Sequence, residues 1–89
     1  NRVGLRLVGP PLRHANPEAE LPSEGIVAGS LQVPADGQPI LFGADHPTTG
    51  SYPVIGVVGA GALAAAAQAR PGTRIRFVPL PMPQWNEMT

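Results

Sequence analysis

The chain has 89 residues and no cysteine, so it forms at most one domain, which neither a disulfide nor a zinc–thiolate site can stabilise. Six arginines balance six acidic residues and lysine is absent, so the net charge is zero and no basic stripe favours nucleic acid. The longest apolar stretch, 54–67, is shorter than the roughly 20 residues that a membrane helix needs, so we expect a soluble, cytoplasmic protein.

The first half of the chain predicts short strands separated by turns. Apolar residues alternate over 3–7, which is typical of a strand with one buried face. A second strand is predicted over 30–33, and the sequence PADG at 34–37 supplies the residues that a tight turn prefers. Residues 39–42 would then return as the partner strand of a hairpin.

The second half predicts two more strands and a helix. Residues 54–58 are continuously apolar, which indicates a strand buried on both faces. The alanine-rich run 62–69 predicts a helix, which at that length must pack on the sheet to be stable. Residues 74–78 alternate again, with Ile75 and Phe77 on one face, and predict a final strand before a proline-rich tail at 79–89. Short strands with glycine or proline between them favour an all-β barrel or sandwich.

A glycine-rich segment at 59–64 follows an apolar strand and opens a helix, as the dinucleotide-binding motif GxGxxA does. That motif also needs a second parallel strand that ends in an acidic residue, whereas the strand predicted over 74–78 is followed by Pro79. We therefore favour a strand-to-helix turn in which glycine gives the backbone room, with nucleotide binding as the weaker alternative.

A nucleophile-and-base set and a metal site are the other candidates for chemistry. Ser51, His46 and Asp45 lie within seven positions, but the sequence around Ser51 is not a nucleophile elbow. His14 and His46 lack the paired spacing of metal ligands, so a metal site would depend entirely on the fold. We predict neither a triad nor a metal site within this chain.

The loop 44–53, with the sequence ADHPTTGSYP, is the best candidate for a binding site. It is longer than a hairpin needs, and long ordered loops in compact domains are usually functional. Its threonines, glycine and tyrosine suit a planar, oxygen-rich ligand such as a ureido group or a carboxylated amide. A turn capped by Asp45 and the threonines explains the same residues equally well, so composition leaves both interpretations open.

Four segments, taken in order, resemble a known family: NRVGLRLVGPPL, SEGIVAGSLQVPADGQPILF, ADHPTTGSYPVIGVV and ARPGTRIRF. They are similar to the family of allophanate hydrolase subunit two, biotin-dependent carboxyltransferase and the C subunit of 5-oxoprolinase, which includes the kinase antagonist KipA. The resemblance implies that residues 1–78 are the C-terminal portion of a cyclophilin-like β-barrel, mainly β with one short helix. Because the family's domain is longer, the chain looks like a fragment or a processed product that lacks the N-terminal portion of the domain.

The resemblance also implies a function that depends on other subunits. The chain would belong to a two-component, ATP-dependent amidohydrolase of the 5-oxoprolinase or allophanate hydrolase type, or to a carboxyltransferase acting on a ureido or lactam substrate. A KipI-like subunit one would be its partner, and the chain would be inactive alone. It would bind no cofactor itself, while the complex would use ATP. The alternative is a regulatory binding module of the KipA type without turnover.

The matched segments imply the residues of the site. Catalytic roles would fall to Gln32, Thr49 and Tyr52. Substrate binding would fall to Arg2, Asp45, Thr48, Gly50 and Pro53. In this arrangement Gln32 and Tyr52 would hold the ureido or lactam group by hydrogen bonds, and the backbone of 48–50 would stabilise negative charge on a carbonyl oxygen.

The chain also departs from the family pattern. It has His46-Pro47 where many members have Arg-Gln, and Ser51 where they have a second glycine. Val54 stands where some members have lysine. Loss of that lysine removes an anion contact, which disfavours the use of carboxybiotin.

Overall fold

The computed structural model describes residues 2–15 and 21–79, and within them six short strands precede one helix. The strands are β1 Gly4–Arg6, β2 Glu24–Gly25, β3 Ser30–Gln32, β4 Ile40–Phe42, β5 Thr49–Gly50 and β6 Val54–Val57, and the helix is α1 Ala60–Ala67. The strands form an antiparallel sheet of order β1-β4-β3-β6 and a separate antiparallel pair of β2 and β5. The expected mainly β fold with one short helix is confirmed in this part of the chain, while residues 80–89 of the predicted tail lie outside it.

The hairpin of β3 and β4 is confirmed, with its turn where the sequence predicted it. Leu31 faces Leu41 across the two strands. In the turn, the N–H of Gly37 donates to the carbonyl oxygen of Pro34 at 3.0 Å. Gly37 has a φ of 77°, a left-handed conformation that favours glycine, which explains the glycine at the end of the PADG turn.

Strand β3 is the most buried element of the described chain. All of residues 30–33 are buried, and since successive side chains point to opposite faces, both faces of β3 are covered. Its two edges pair with β4 and β6. The buried apolar side chains of the core are Ile26, Leu31, Val33, Leu41 and Phe42. Burial of each such side chain contributes roughly 1.5–3 kcal/mol. Two of these residues lie on β3 or directly after it, two lie on β4, and Ile26 lies directly after β2. The fold therefore depends on the central strand.

The predicted loop 44–53 contains a strand that the sequence did not reveal. Strand β5 pairs with β2, so that Glu24 faces Gly50 and Gly25 faces Thr49. A two-residue polar strand is too short to show the alternation by which strands are recognised in a sequence. Residues 49–50 of this segment therefore belong to a two-stranded sheet rather than to a free loop.

Strand β6 lies where the sequence predicted it, but the expected burial on both faces is wrong. Ile55 and Val57 are 57% and 63% exposed. β6 is the last strand of the four-stranded sheet, so in the described part of the chain it has a neighbour only on the β3 side. Its composition is typical of a central strand, whereas its position is that of an edge strand.

The helix and the end of the described chain also differ from expectation. Helix α1 begins and ends two residues earlier than predicted, and none of its residues is buried, so the expected packing on the sheet is wrong. Residues 74–78 form no regular element, and Ile75 and Phe77 are 39% and 41% exposed. Alternation alone does not make a strand, because the backbone donors and acceptors also need a neighbouring strand.

Within residues 2–15 and 21–79, no helix has the length and apolar character required to cross a membrane.

Candidate functional site

Gln32 is a buried polar residue of β3 whose amide has no partner in the described part of the chain. Only 6% of the residue is exposed, yet its carboxamide makes no hydrogen bond to the described residues. No fully enclosed polar side-chain atom in this part of the chain lacks a partner, so the amide of Gln32 must still reach solvent through a narrow opening. By contrast, the hydroxyl of Ser30 on the same strand accepts the N–H of Val27 at 3.1 Å and is structural.

Gly50 brings strand β5 against the end of the Gln32 side chain. A Cβ added at Gly50 would lie 2.6 Å from Gln32 Nε2 and 3.3 Å from Ile26 Cδ1. A larger residue at this position would therefore displace the amide. The structure thus brings together two residues that the sequence assigned to the site from separate segments.

The β2–β5 ladder determines which backbone groups of residues 48–50 are free. The N–H of Ile26 donates to the carbonyl oxygen of Thr48 at 3.0 Å, so these two residues form a hydrogen-bonded pair. In an antiparallel ladder such pairs alternate with non-hydrogen-bonded pairs. Thr49, which faces Gly25, therefore belongs to a non-hydrogen-bonded pair. Its N–H points away from β2, whereas that of Gly50 points toward β2.

Tyr52 and Pro53 lie at the end of the predicted loop, beside β3. The carbonyl oxygen of Pro53 accepts the N–H of Val33 at 2.9 Å, which fixes this end of the loop next to the residue that follows Gln32. Tyr52 is 45% exposed, and its ring meets the ring of His14 edge-on at a centroid distance of 6.4 Å. The phenol is thus held by a neighbour while part of the side chain remains accessible.

His14 is a site neighbour that the sequence did not predict. Its Nε2 donates to the carbonyl oxygens of Val33 and Pro34, at 2.9 and 3.1 Å, so that Nε2 carries the hydrogen. The sequence suggested His14 only as a poor candidate for a metal ligand. Nineteen residues separate His14 from Val33, and no local pattern connects them.

A mainly apolar cleft lies beside these residues. Its volume is about 360 Å³, near the lower end of the range of roughly 300–1,000 Å³ for small-molecule sites. The lining residues are Leu12, Arg13, His14, Ala15, Val33, Pro53 and Ile55. Pro53 belongs to the predicted site, and His14 connects the cleft to Tyr52.

Arg2 and Asp45 form a separate, exposed ion pair. Arg2 Nε donates to Asp45 Oδ2 at 2.8 Å, and the N–H of Asp45 donates to the carbonyl oxygen of Arg2 at 2.9 Å. The hydrogen bond from Arg2 lowers the pKa of Asp45, and the same bond raises the pKa of Arg2. Gly4 faces Phe42, so Arg2 lies opposite position 44, whereas Gln32 faces Ile40. The two places are therefore about 13 Å apart along the direction of β4. Arg2 and Asp45 are not brought to Gln32 and Gly50.

The catalytic triad and the nucleotide-binding motif that the sequence analysis considered are not formed either. His46 Nδ1 donates to the carbonyl oxygen of Pro47 at 2.7 Å, and Asp45 is bonded to Arg2, so these side chains do not orient one another as a triad would require. The glycine-rich segment is a strand-to-helix turn, which is the interpretation that the sequence favoured. However, a Cβ at Gly59 or Gly61 would meet no atom within 4 Å, so these glycines do not serve a close approach.

Comparison with known proteins identifies relatives over most of the chain. Residues 1–79 match the family described as carboxyltransferase domain, subdomain A and B. The C subunit of 5-oxoprolinase from Haemophilus influenzae is 46% identical over 77 residues, which are 86% of this chain and 25% of that protein. The C subunit of 5-oxoprolinase from Escherichia coli K12 is 41% identical over 78 residues, 88% of this chain and 25% of that protein. The chain therefore spans about a quarter of the length of these relatives.

A substitution at Gly50 tests the contact with Gln32. In Gly50→Ala the new methyl group should displace the Gln32 amide, while the free energy of unfolding falls by no more than about 1 kcal/mol because a flexible side-chain end yields. The side-chain amide resonances of Gln32 in a ¹⁵N spectrum should move. Gly25→Ala, on the facing strand, adds a methyl group that meets nothing within 4 Å and should leave them in place. Unchanged Gln32 resonances in Gly50→Ala would contradict the contact.

The ion pair gives a prediction for the titration of Asp45. Its pKa is lowered in the folded chain, so the pair stabilises the fold above the unfolded pKa of about 3.9, and this contribution is lost as the pH falls through the lower folded value. In Arg2→Ala the pKa of Asp45, followed by the ¹³C resonance of its carboxyl group, should rise. Arg6→Ala is the control and should leave the midpoint of the Asp45 titration unchanged. A midpoint that stays low in Arg2→Ala would show that another group lowers the pKa.

Proposed function

The chain belongs to the family of carboxyltransferase domains, subdomain A and B, and we propose that it supplies part of the substrate site of a multi-subunit 5-oxoprolinase. In the reaction, water adds to the lactam carbonyl of 5-oxoproline and the C–N bond breaks, leaving an amine and a carboxylate. The resemblance of the chain implies that ATP drives this step in the complete complex. A KipI-like subunit one is the proposed partner.

The free amide of Gln32 is the observation that carries this proposal. The residue is only 6% exposed and its amide makes no hydrogen bond to the described residues, so both its donor and its acceptor remain available to a group that approaches from solvent, which supports a role in binding a ligand. A lactam presents its N–H and C=O on the same side, because the ring fixes the amide in the cis form. A carboxamide has one donor and one acceptor side and can pair with both groups at once. Gln32 thus suits a lactam better than a carboxylate alone.

Thr49 and Tyr52 are proposed to act on the carbonyl oxygen. The N–H of Thr49 points away from β2, which supports its assignment as a donor to the negative charge that develops when water adds. The N–H of Gly50 is directed into the ladder, so we assign Gly50 the different role of giving the Gln32 amide space. Tyr52 would donate its hydroxyl hydrogen to the same substrate, held in place by His14.

The cleft beside Tyr52 is proposed to accept the rest of the substrate ring. Its apolar lining suits the methylene groups of 5-oxoproline, and Arg13 supplies a positive charge for the carboxylate. Pro53 forms part of this wall. Arg2 and Asp45 satisfy one another outside the cleft, so we propose that they hold the ends of β1 and β4 rather than bind substrate.

Substitution of Gln32 in the complete enzyme tests the proposal. Gln32→Met keeps the length of the side chain and removes both hydrogen bonds, so kcat/KM for 5-oxoproline should fall by about 10- to 100-fold, which corresponds to roughly 1.4–2.8 kcal/mol. Tyr52→Phe should also lower the rate, measured as glutamate formed and ATP hydrolysed, whereas Thr49→Ala keeps the backbone N–H and should retain it. Val8→Ala, at a residue that is 94% exposed and outside the described strands, is the control and should retain full activity.

Two results would sink this assignment. One is full activity of both Gln32→Met and Tyr52→Phe in an assembly whose thermal unfolding matches that of the wild type. The other is capture of the partner subunit without turnover of 5-oxoproline, of allophanate, or of urea with carboxybiotin, which would favour the regulatory alternative.

A further inference from the structure

The surface formed by β6 and α1, called here the β6 surface, is exposed and lacks charge. No residue from 54 to 69 is charged, and Gln68 is the most polar side chain in that range. Ile55 and Val57 are more than half exposed, and no residue of α1 is buried. A helix that is apolar all round is normally buried, and so is a strand that is apolar throughout. The β6 surface therefore has the composition of an interior.

The free edge of β6 is also open to another strand. β6 pairs with β3 on one side, and within the described residues no strand lies on the other. Alternate residues of an edge strand direct their N–H and C=O groups outward, where a further strand can bond to them. Edge strands of isolated domains are usually protected by charged residues, above all lysine, and β6 has none.

We propose that the β6 surface docks the remaining portion of a carboxyltransferase-type subunit, which adds a β-strand to β6 and covers α1. The matched segments make up 25% of each relative, so the other three quarters are available to supply the strand and the cover. A continuous apolar surface of this kind is typical of permanent rather than transient interfaces. A second copy of this chain, paired edge to edge at β6, is the competing occupant, and the test below distinguishes it. The proposal concerns assembly and does not depend on turnover of 5-oxoproline.

Co-expression of two pieces tests this proposal. The affinity-tagged chain is produced together with the part of the Haemophilus influenzae relative that lies outside the matched 77 residues. The wild-type chain should capture that part in a one-to-one complex, measured by light scattering. Val57→Lys should lower the captured amount at least tenfold, because it places a charge in the new interface. Val8→Lys is the matched control, since Val8 is 94% exposed and lies outside every strand, and it should bind as the wild type does.

Hydrogen exchange provides a second measurement on the same samples. The backbone amides of residues 54–57 that point away from β3 should exchange slowly in the complex and quickly in the isolated chain. Circular dichroism of the isolated Val57→Lys chain should match that of the wild type, because Val57 is already exposed. Failure of the wild-type chain to capture the second piece, or equal capture by Val57→Lys, would overturn the proposal. So would a wild-type homodimer that Val57→Lys dissociates, which would assign the surface to a second copy.

Discussion

The burial of β3 on both faces is the constraint on which the rest of the structure depends. Leu31 and Val33 contribute to the core, and the strand holds β4 on one side and β6 on the other. Gln32 lies between these two core residues, so its amide is carried into the interior by the same pairing that forms the sheet. Gly50 then allows the β2–β5 pair to approach that amide closely. The amide therefore lies in the interior while its donor and acceptor can still be reached from solvent.

The site and the proposed docking surface are linked through the same strand. Adjacent strands are about 4.8 Å apart, so a strand added to β6 would lie roughly 10 Å from β3. Ile55 lines the cleft next to Pro53 and also lies on β6, so a partner that covers β6 would border the cleft. Assembly would then complete one wall of the proposed substrate site. A site shared in this way would need no triad within the described residues, where Asp45 and His46 do not form one.

Sequence patterns predicted the parts of the fold that depend on near neighbours. The alternation at 3–7 and the PADG turn were sufficient for β1 and the β3–β4 hairpin, because turn preference and strand period are local properties. The burial of β6 and the packing of α1 were predicted wrongly, since composition shows that a residue prefers an interior but not whether one is present. The β2–β5 pairing and the contact of His14 with Val33 join distant segments without any local signal. In the site, the family segments placed Gln32 and Gly50 together, while Arg2 and Asp45 lie elsewhere.

The central claim is that the Gln32 amide pairs with the substrate's lactam. Selective ¹⁵N labelling of glutamine in the complete subunit, followed by titration with 5-oxoproline, measures this most directly. The account predicts a saturable shift of the Gln32 side-chain resonances, absent with cyclopentanecarboxylate, which has the ring and the carboxylate but no amide. Saturable binding of 5-oxoproline that leaves the Gln32 resonances unmoved, while other residues respond, would contradict it.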